Sequence, residues 1–104
     1  MAVVDVQRSD RRFEVLLDGE VAGFAEFHDE GGRRSFTHTV VDGRFQGQGL
    51  AGRLIGHALD ATRQEGLAVE PYCSYVRAFV LEHPEHLDLV EADSRSRFDL
   101  PAAG

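Results

Sequence analysis

Apolar and polar positions alternate in three runs between residues 11 and 41: "RRFEVLL", "EVAGFAEFHD" and "RRSFTHTVV". Alternation puts successive side chains on opposite faces of an extended chain, the pattern of a half-buried strand. Asp18-Gly19 separates the first run from the second and Gly31-Gly32 the second from the third. Both dipeptides favour the left-handed backbone of tight hairpins, so three antiparallel strands in a meander are predicted. In "VVDVQ", residues 3–7, Val4 and Val6 alternate with Asp5 and Gln7, which predicts a fourth strand at the edge.

From Leu50 the period lengthens. Leu50, Leu54, Ile55, Ala58, Leu59 and Thr62 fall on one face and Arg53, His57, Asp60, Arg63 and Gln64 fall elsewhere, the spacing of an amphipathic helix of about four turns. Gly66 is placed to cap its C-terminus. "LAVEPYC" then reads as a buried strand of about six residues. Ser74 is a candidate N-cap for a short second helix with Tyr75, Val76, Phe79 and Val80 on one face, limited by Pro84. Leu87, Leu89 and Val90 offer further core contacts, and residues from about 91 to 104 read as a loose C-terminal tail. The whole chain, 1–104, is thus predicted to be one α+β domain: an antiparallel meander of three to four strands, then helix, strand, short helix.

The junction between meander and helix raises the chemical question. Asp42 to Gly52, "DGRFQGQGLAG", holds four glycines and runs directly into the helix. A helix N-terminus leaves backbone N–H groups unpaired and carries partial positive charge, so an unobstructed loop can bring a phosphate or pyrophosphate onto it. A nucleoside-triphosphate loop would end in lysine and serine or threonine, which are absent here. A dinucleotide fingerprint would sit in a parallel βαβ unit, whereas this loop follows hairpins. The competing structural explanation is a tight turn in which Gly52 and Gly56 permit close packing.

Charge and composition narrow the partners. With 11 Lys+Arg against 18 Asp+Glu the formal charge is −7, so nucleic acid is not an expected partner. Backbone donors in the loop would attract an anion locally whatever the net charge. Nothing in the chain reaches the length of a signal-peptide core or a membrane span, so a cytoplasmic location and no membrane association are expected. The single Cys73 can form neither an internal disulfide nor a cysteine-rich zinc site. The cluster His83, Pro84, Glu85, His86 is not expected to hold a metal, because proline breaks the register that would align two ligands.

Gln46-Gly47-Gln48-Gly49-Leu50-Ala51 resembles the Q/R-x-x-G-x-G/A signature of the GNAT superfamily of acetyl-coenzyme A dependent N-acetyltransferases. "FTHTVV" before it, the helix after it, and the downstream "EPYCSYV" and "HPEHLDLV" are similar to the short YjdJ-type branch. The resemblance covers nearly the whole chain up to about Val90 and implies a minimal GNAT-like fold. It further implies that Gln46, Gly47, Gln48, Gly49, Leu50 and Ala51 surround the pyrophosphate of coenzyme A. Thr39, Val40 and Val41 would pair through their backbone with the pantetheine arm, and the acetyl group would lie where that strand diverges from "LAVEPYC".

Transfer of an acetyl group to an amine needs a neutral amine, oxyanion donors and a proton source for the departing thiolate. His38, on the strand leading into the loop, is the first candidate base, with a structural role as the alternative; strict alternation puts it on one face with Phe36 and Val40. Glu26 on the neighbouring strand is a second candidate. Cys73 precedes a helix N-terminus, which would favour its thiolate. It is a candidate nucleophile, a neighbour of the cofactor sulfur, or a small buried hydrophobe. Tyr75 is a candidate proton donor, although its place on the apolar face favours packing; Tyr72 reads as structural. Arg53 and Arg77 could reach the adenosine phosphates. Larger superfamily members carry additional helices and strands that build the acceptor pocket, so a shallow acceptor site is implied here, open or completed by a protein partner. The acceptor would be a small-molecule or protein amine. A noncatalytic acyl-coenzyme A binding or sensing module is the alternative.

Overall fold

The computed structural model describes residues 3–102. Five strands form one sheet in sequence order: β1 (Val4–Arg8), β2 (Arg12–Leu17), β3 (Glu20–Glu30), β4 (Arg33–Val41) and β5 (Ala68–Pro71). The first four are antiparallel neighbours and β5 joins β4 in parallel. Two helices, α1 (Leu50–Gln64) and α2 (Ser74–Glu82), flank β5 in the chain, as the α+β reading requires. Both predicted hairpins turn at left-handed backbone, with φ of 51° and 84° at Asp18 and Gly19 and 60° and 79° at Gly31 and Gly32.

One face of the sheet is buried under α1. Phe13, Val15, Ala25, Phe27, Phe36 and Val69 meet Leu54, Ile55, Ala58 and Leu59 in a single cluster, and the six helix positions predicted from periodicity are the six that are buried. Val76 and Val80 bring α2 onto the same core. The other face carries Phe24, Glu26, His38 and Val40, paired as Glu26 with His38 and Phe24 with Val40.

Two expectations are corrected. β5 is four residues long, shorter than the strand expected, because Tyr72 N–H turns back to the Glu70 carbonyl and Cys73 already caps α2. The segment after Val90 is not loose within the described residues. Phe98 and Leu100 are buried, and Arg95 donates to the carbonyls of Leu87 and Val90 while Arg97 pairs with Glu70. Two apolar side chains among polar neighbours were enough to anchor it.

Candidate functional site

β4 and β5 run together only from Arg33–Ala68 to Phe36–Pro71. Cys73 N–H then donates to the Phe36 carbonyl at 2.9 Å, and the chain turns into α2. From Thr37 to Val41, β4 therefore keeps β3 on one side but has no strand partner on the other among the described residues. Backbone groups along an unpaired edge are ready to hydrogen-bond an extended ligand. Facing this opening on the helix side of the sheet, Cys73 S–H donates to Thr39 Oγ1 at 3.2 Å, with both residues buried.

The glycine loop continues the same edge. Asp42 accepts from the Arg44 N–H and side chain, and those bonds hold its carboxyl below the ordinary range. They close a short 3-10 turn over Gly43–Phe45. Gly47 and Gly49 have φ of 84° and 71°, backbone that side chains with a Cβ adopt at a cost. Gly49 is the N-cap of α1 and supplies no side-chain acceptor, so first-turn N–H groups stay available. A groove of about 290 Å³ lies over them, lined by Val41, Gln46, Gly47, Gly49, Ala51 and Tyr75 among others. A Cβ on Gly52 would meet nothing within 4 Å. Close packing therefore does not explain this glycine, whereas a Cβ on Gly56 would touch Phe79 at 3.5 Å.

Most expected cofactor positions converge here. Val41, Gln46, Gly47, Gly49, Leu50 and Ala51 line the groove, although the Leu50 side chain itself belongs to the core. Gln48 lies within the loop without lining it. Thr39 and Val40 lie on the open edge but point to opposite faces, Thr39 buried with Cys73 and Val40 outward opposite Phe24.

His38 is not where strict alternation placed it. The register steps from Glu26–His38 to Phe27–Phe36, leaving Thr37 as an extra residue in β4. Such a bulge reverses the facing of the residues on one side of it relative to those on the other. Phe36 is consequently buried, while His38 is exposed beside Phe24, with ring centroids 6.2 Å apart. His38 and Cys73 thus border the opening from opposite faces of the sheet, and Glu26 is the direct cross-strand neighbour of His38.

Other side chains also moved from expectation. Tyr75 is 46% exposed and lines the groove instead of packing in the core. Ser74 is the first residue of α2, and Cys73 is its N-cap. Arg77 is engaged by the carbonyls of Pro71 and Tyr72. Arg53 borders a separate hollow with Asp5 and His57. His83 and His86 stack on Phe79, at 4.3 and 5.5 Å.

Sequence reasoning missed Arg34, 1% exposed beneath the far end of the sheet. Its guanidinium binds Asp29 through two oxygens at 2.8 Å, Glu65 at 2.9 Å and Thr62 at 3.3 Å, and lies 4.5 Å from the Phe27 ring centroid. Burial pulls its pKa down, but the hydrogen bonds it donates to Asp29 and Glu65 outweigh that and raise it. Arg34 stands between Arg33 and Ser35, a polar stretch in which nothing marks such burial.

A family model for GCN5-related N-acetyl-transferases matches residues 12–89. Protein NATD1 of Bos taurus is 32% identical over 83 residues, 78% of this chain and 74% of its own length. NATD1 of Gallus gallus is 32% identical over 91 residues, 81% of this chain and 83% of its own. Among solved structures, a GCN5-like putative N-acetyltransferase from Staphylococcus aureus superposes with a TM-score of 0.67 at 15% identity, covering 84% of this chain and 87% of that one. The ribosomal-protein-S18-alanine N-acetyltransferase from Escherichia coli gives 0.57 at 25% identity, covering 75% of this chain and 54% of that one.

Proposed function

The chain belongs to the GCN5-related N-acetyltransferase family, and on that premise we propose that it transfers an acetyl group from acetyl-coenzyme A to an amine. The observation that carries this reading is the continuity of the unpaired β4 edge, Thr37–Val41, with the glycine groove at the tip of α1. An extended arm ending in a pyrophosphate has both a backbone edge to pair with and a cradle of N–H groups. Gly52 leaves the space that a Cβ would otherwise enter. The residues present fit acetyl-coenzyme A.

When bound, acetyl-coenzyme A supplies an acetyl group activated as a thioester. The protein's part is placement and proton movement. Thr39, Val40 and Val41 offer backbone groups along the edge, and Gln46 to Ala51 hold the anionic end. Cys73, with its S–H on Thr39, sits at the opening as a proton donor for the departing thiolate; Tyr75 in the groove is the second donor within the same site. From the open face, His38 takes the proton that the amine loses as it forms its new bond, with Glu26 alongside. We assign the chain to the short single-domain members of the family, such as the YjdJ-type branch.

Release of coenzyme A by the reduced protein, followed with and without a panel of primary amines, tests this. Amine-dependent release is expected. A protein that binds acetyl-coenzyme A but releases nothing beyond the amine-free rate would be an acyl-coenzyme A binding module instead.

A further inference from the structure

The open sheet face has a fixed aromatic beside the point where β4 and β5 part. Tyr72 follows Pro71, the last partner of Phe36, and lies between two buried residues, Pro71 and Cys73, while being 48% exposed itself. Its ring stands edge-on to Phe98, with centroids 5.0 Å apart and planes at 86°. Phe98 is only 4% exposed. The Arg97 guanidinium lies 4.7 Å from the Phe98 centroid and 5.9 Å from that of Tyr72, and is anchored by Glu70 at 2.6 Å. Glu70 in turn accepts from Ser35 of β4 at 3.1 Å.

This scaffold fixes the side of the sheet on which Tyr72 lies. Ser35, Glu70 and Arg97 form a chain of contacts across the two strands, and Tyr72 lies against its Arg97 end, next to Cys73, whose N–H holds the Phe36 carbonyl where β4 opens. A free exposed tyrosine would lose rotamer entropy on meeting a ligand. Here the packing of residues 97 and 98 has already restricted it, the arrangement of a preorganised contact surface. Among the described residues, Glu26 is the carboxylate next to the opening that makes no ion pair, since Glu70 is taken by Arg97.

Building on the acetyl-transfer reading, we infer that Tyr72 is the acceptor-side wall, and that the acceptor is a primary amine on an unbranched apolar or aromatic stem. The amine end meets His38 and Glu26, and the stem lies on the Tyr72 ring. Phe98 is a positioning residue that acts through Tyr72. The C-terminal segment of this chain thereby supplies a part of the acceptor site.

The test compares 2-phenylethylamine with ethanolamine, which share a two-carbon spacer and differ in the apolar group. In initial-rate assays the protein should favour 2-phenylethylamine by about tenfold or more in kcat/KM. Tyr72→Ala should erase the preference by raising KM, with kcat and acetyl-coenzyme A affinity unchanged. Tyr72→Phe should retain it, and Phe98→Leu should weaken it through KM alone. Equal use of the two amines, a preference that survives in Tyr72→Ala, or failure to acetylate either amine by protein that binds acetyl-coenzyme A would overturn the inference. Calorimetry separates the two levels: absence of acetyl-coenzyme A binding removes the transfer reading and this one with it.

Discussion

The thiol of Cys73 lies 3.2 Å from the hydroxyl of Thr39 and joins the N-cap of α2 to β4 where the sheet opens. The role proposed for this thiol at the opening is to pass a proton to the departing thiolate of the cofactor.

Cys73→Ala should therefore lower amine acetylation by about a hundredfold while leaving acetyl-coenzyme A affinity within about threefold, the split expected when only a transition-state interaction is lost. The chain contains no lysine, so intact-mass analysis after exposure to acetyl-coenzyme A without amine is simple to interpret. Unmodified protein is expected, and a stable acetyl adduct on Cys73 would make it the nucleophile.

Gly52 separates binding from folding. Its φ is not left-handed and a Cβ there meets nothing, so Gly52→Glu should raise helix stability by up to about 1 kcal/mol through propensity and favourable charge at the N-terminal turn. The same carboxylate would repel a pyrophosphate, and coenzyme A affinity should fall by at least about tenfold. Urea unfolding and calorimetry on one sample check both signs. Affinity unchanged in the stabilised variant would place the anionic end elsewhere. Gly49 is less suitable, because its φ of 71° strains any side chain.

The Arg34 cluster makes an asymmetric prediction. Asp29 and Glu65 are partly open to water, with side chains 40% and 37% exposed, whereas Arg34 is buried. Arg34→Met keeps a stem between Phe13 and Phe27 and lets both carboxylates rehydrate, so it should cost no more than about 1 kcal/mol. The double variant Asp29→Ala, Glu65→Ala strands a buried cation and should cost about 3 kcal/mol or more. Equal urea midpoints for the two variants would contradict this account.

Acid titration reads the same cluster. Hydrogen bonds from Arg34, then Arg8, hold the Glu65 carboxyl down to about 2. A carboxyl lowered by folding stabilises the native state fully above its unfolded value, near 4.5, and that contribution is lost as pH falls toward 2. The urea midpoint should decline between these values. The decline should be shallower in Glu65→Gln.

Local signals in the sequence located the elements and the loop. Asp18-Gly19 and Gly31-Gly32 turn as their left-handed preference requires, and the apolar stripe of α1 is buried position by position. The facing of His38 was not legible, because a bulge is settled by the register of two strands, and "FTHTVV" reads the same with or without Thr37 slipped out of the ladder. Helical period favours packing for Tyr75, yet α2 is short: Val76 and Val80 are buried, Phe79 packs partly against the core, and Tyr75 is left outside it. Phe98 and Leu100 carry no periodic pattern, since 3-10 turns and single contacts anchor them. Local chemistry marked the glycine loop, and tertiary register decided which side chains surround it.

The most direct test of the central claim is a calorimetric titration of acetyl-coenzyme A into the reduced protein, with Gly52→Glu as comparison. Saturable one-to-one binding, weakened in the variant, is the predicted result. No heat of binding from folded protein would contradict the account and leave the glycines as a strand-to-helix turn.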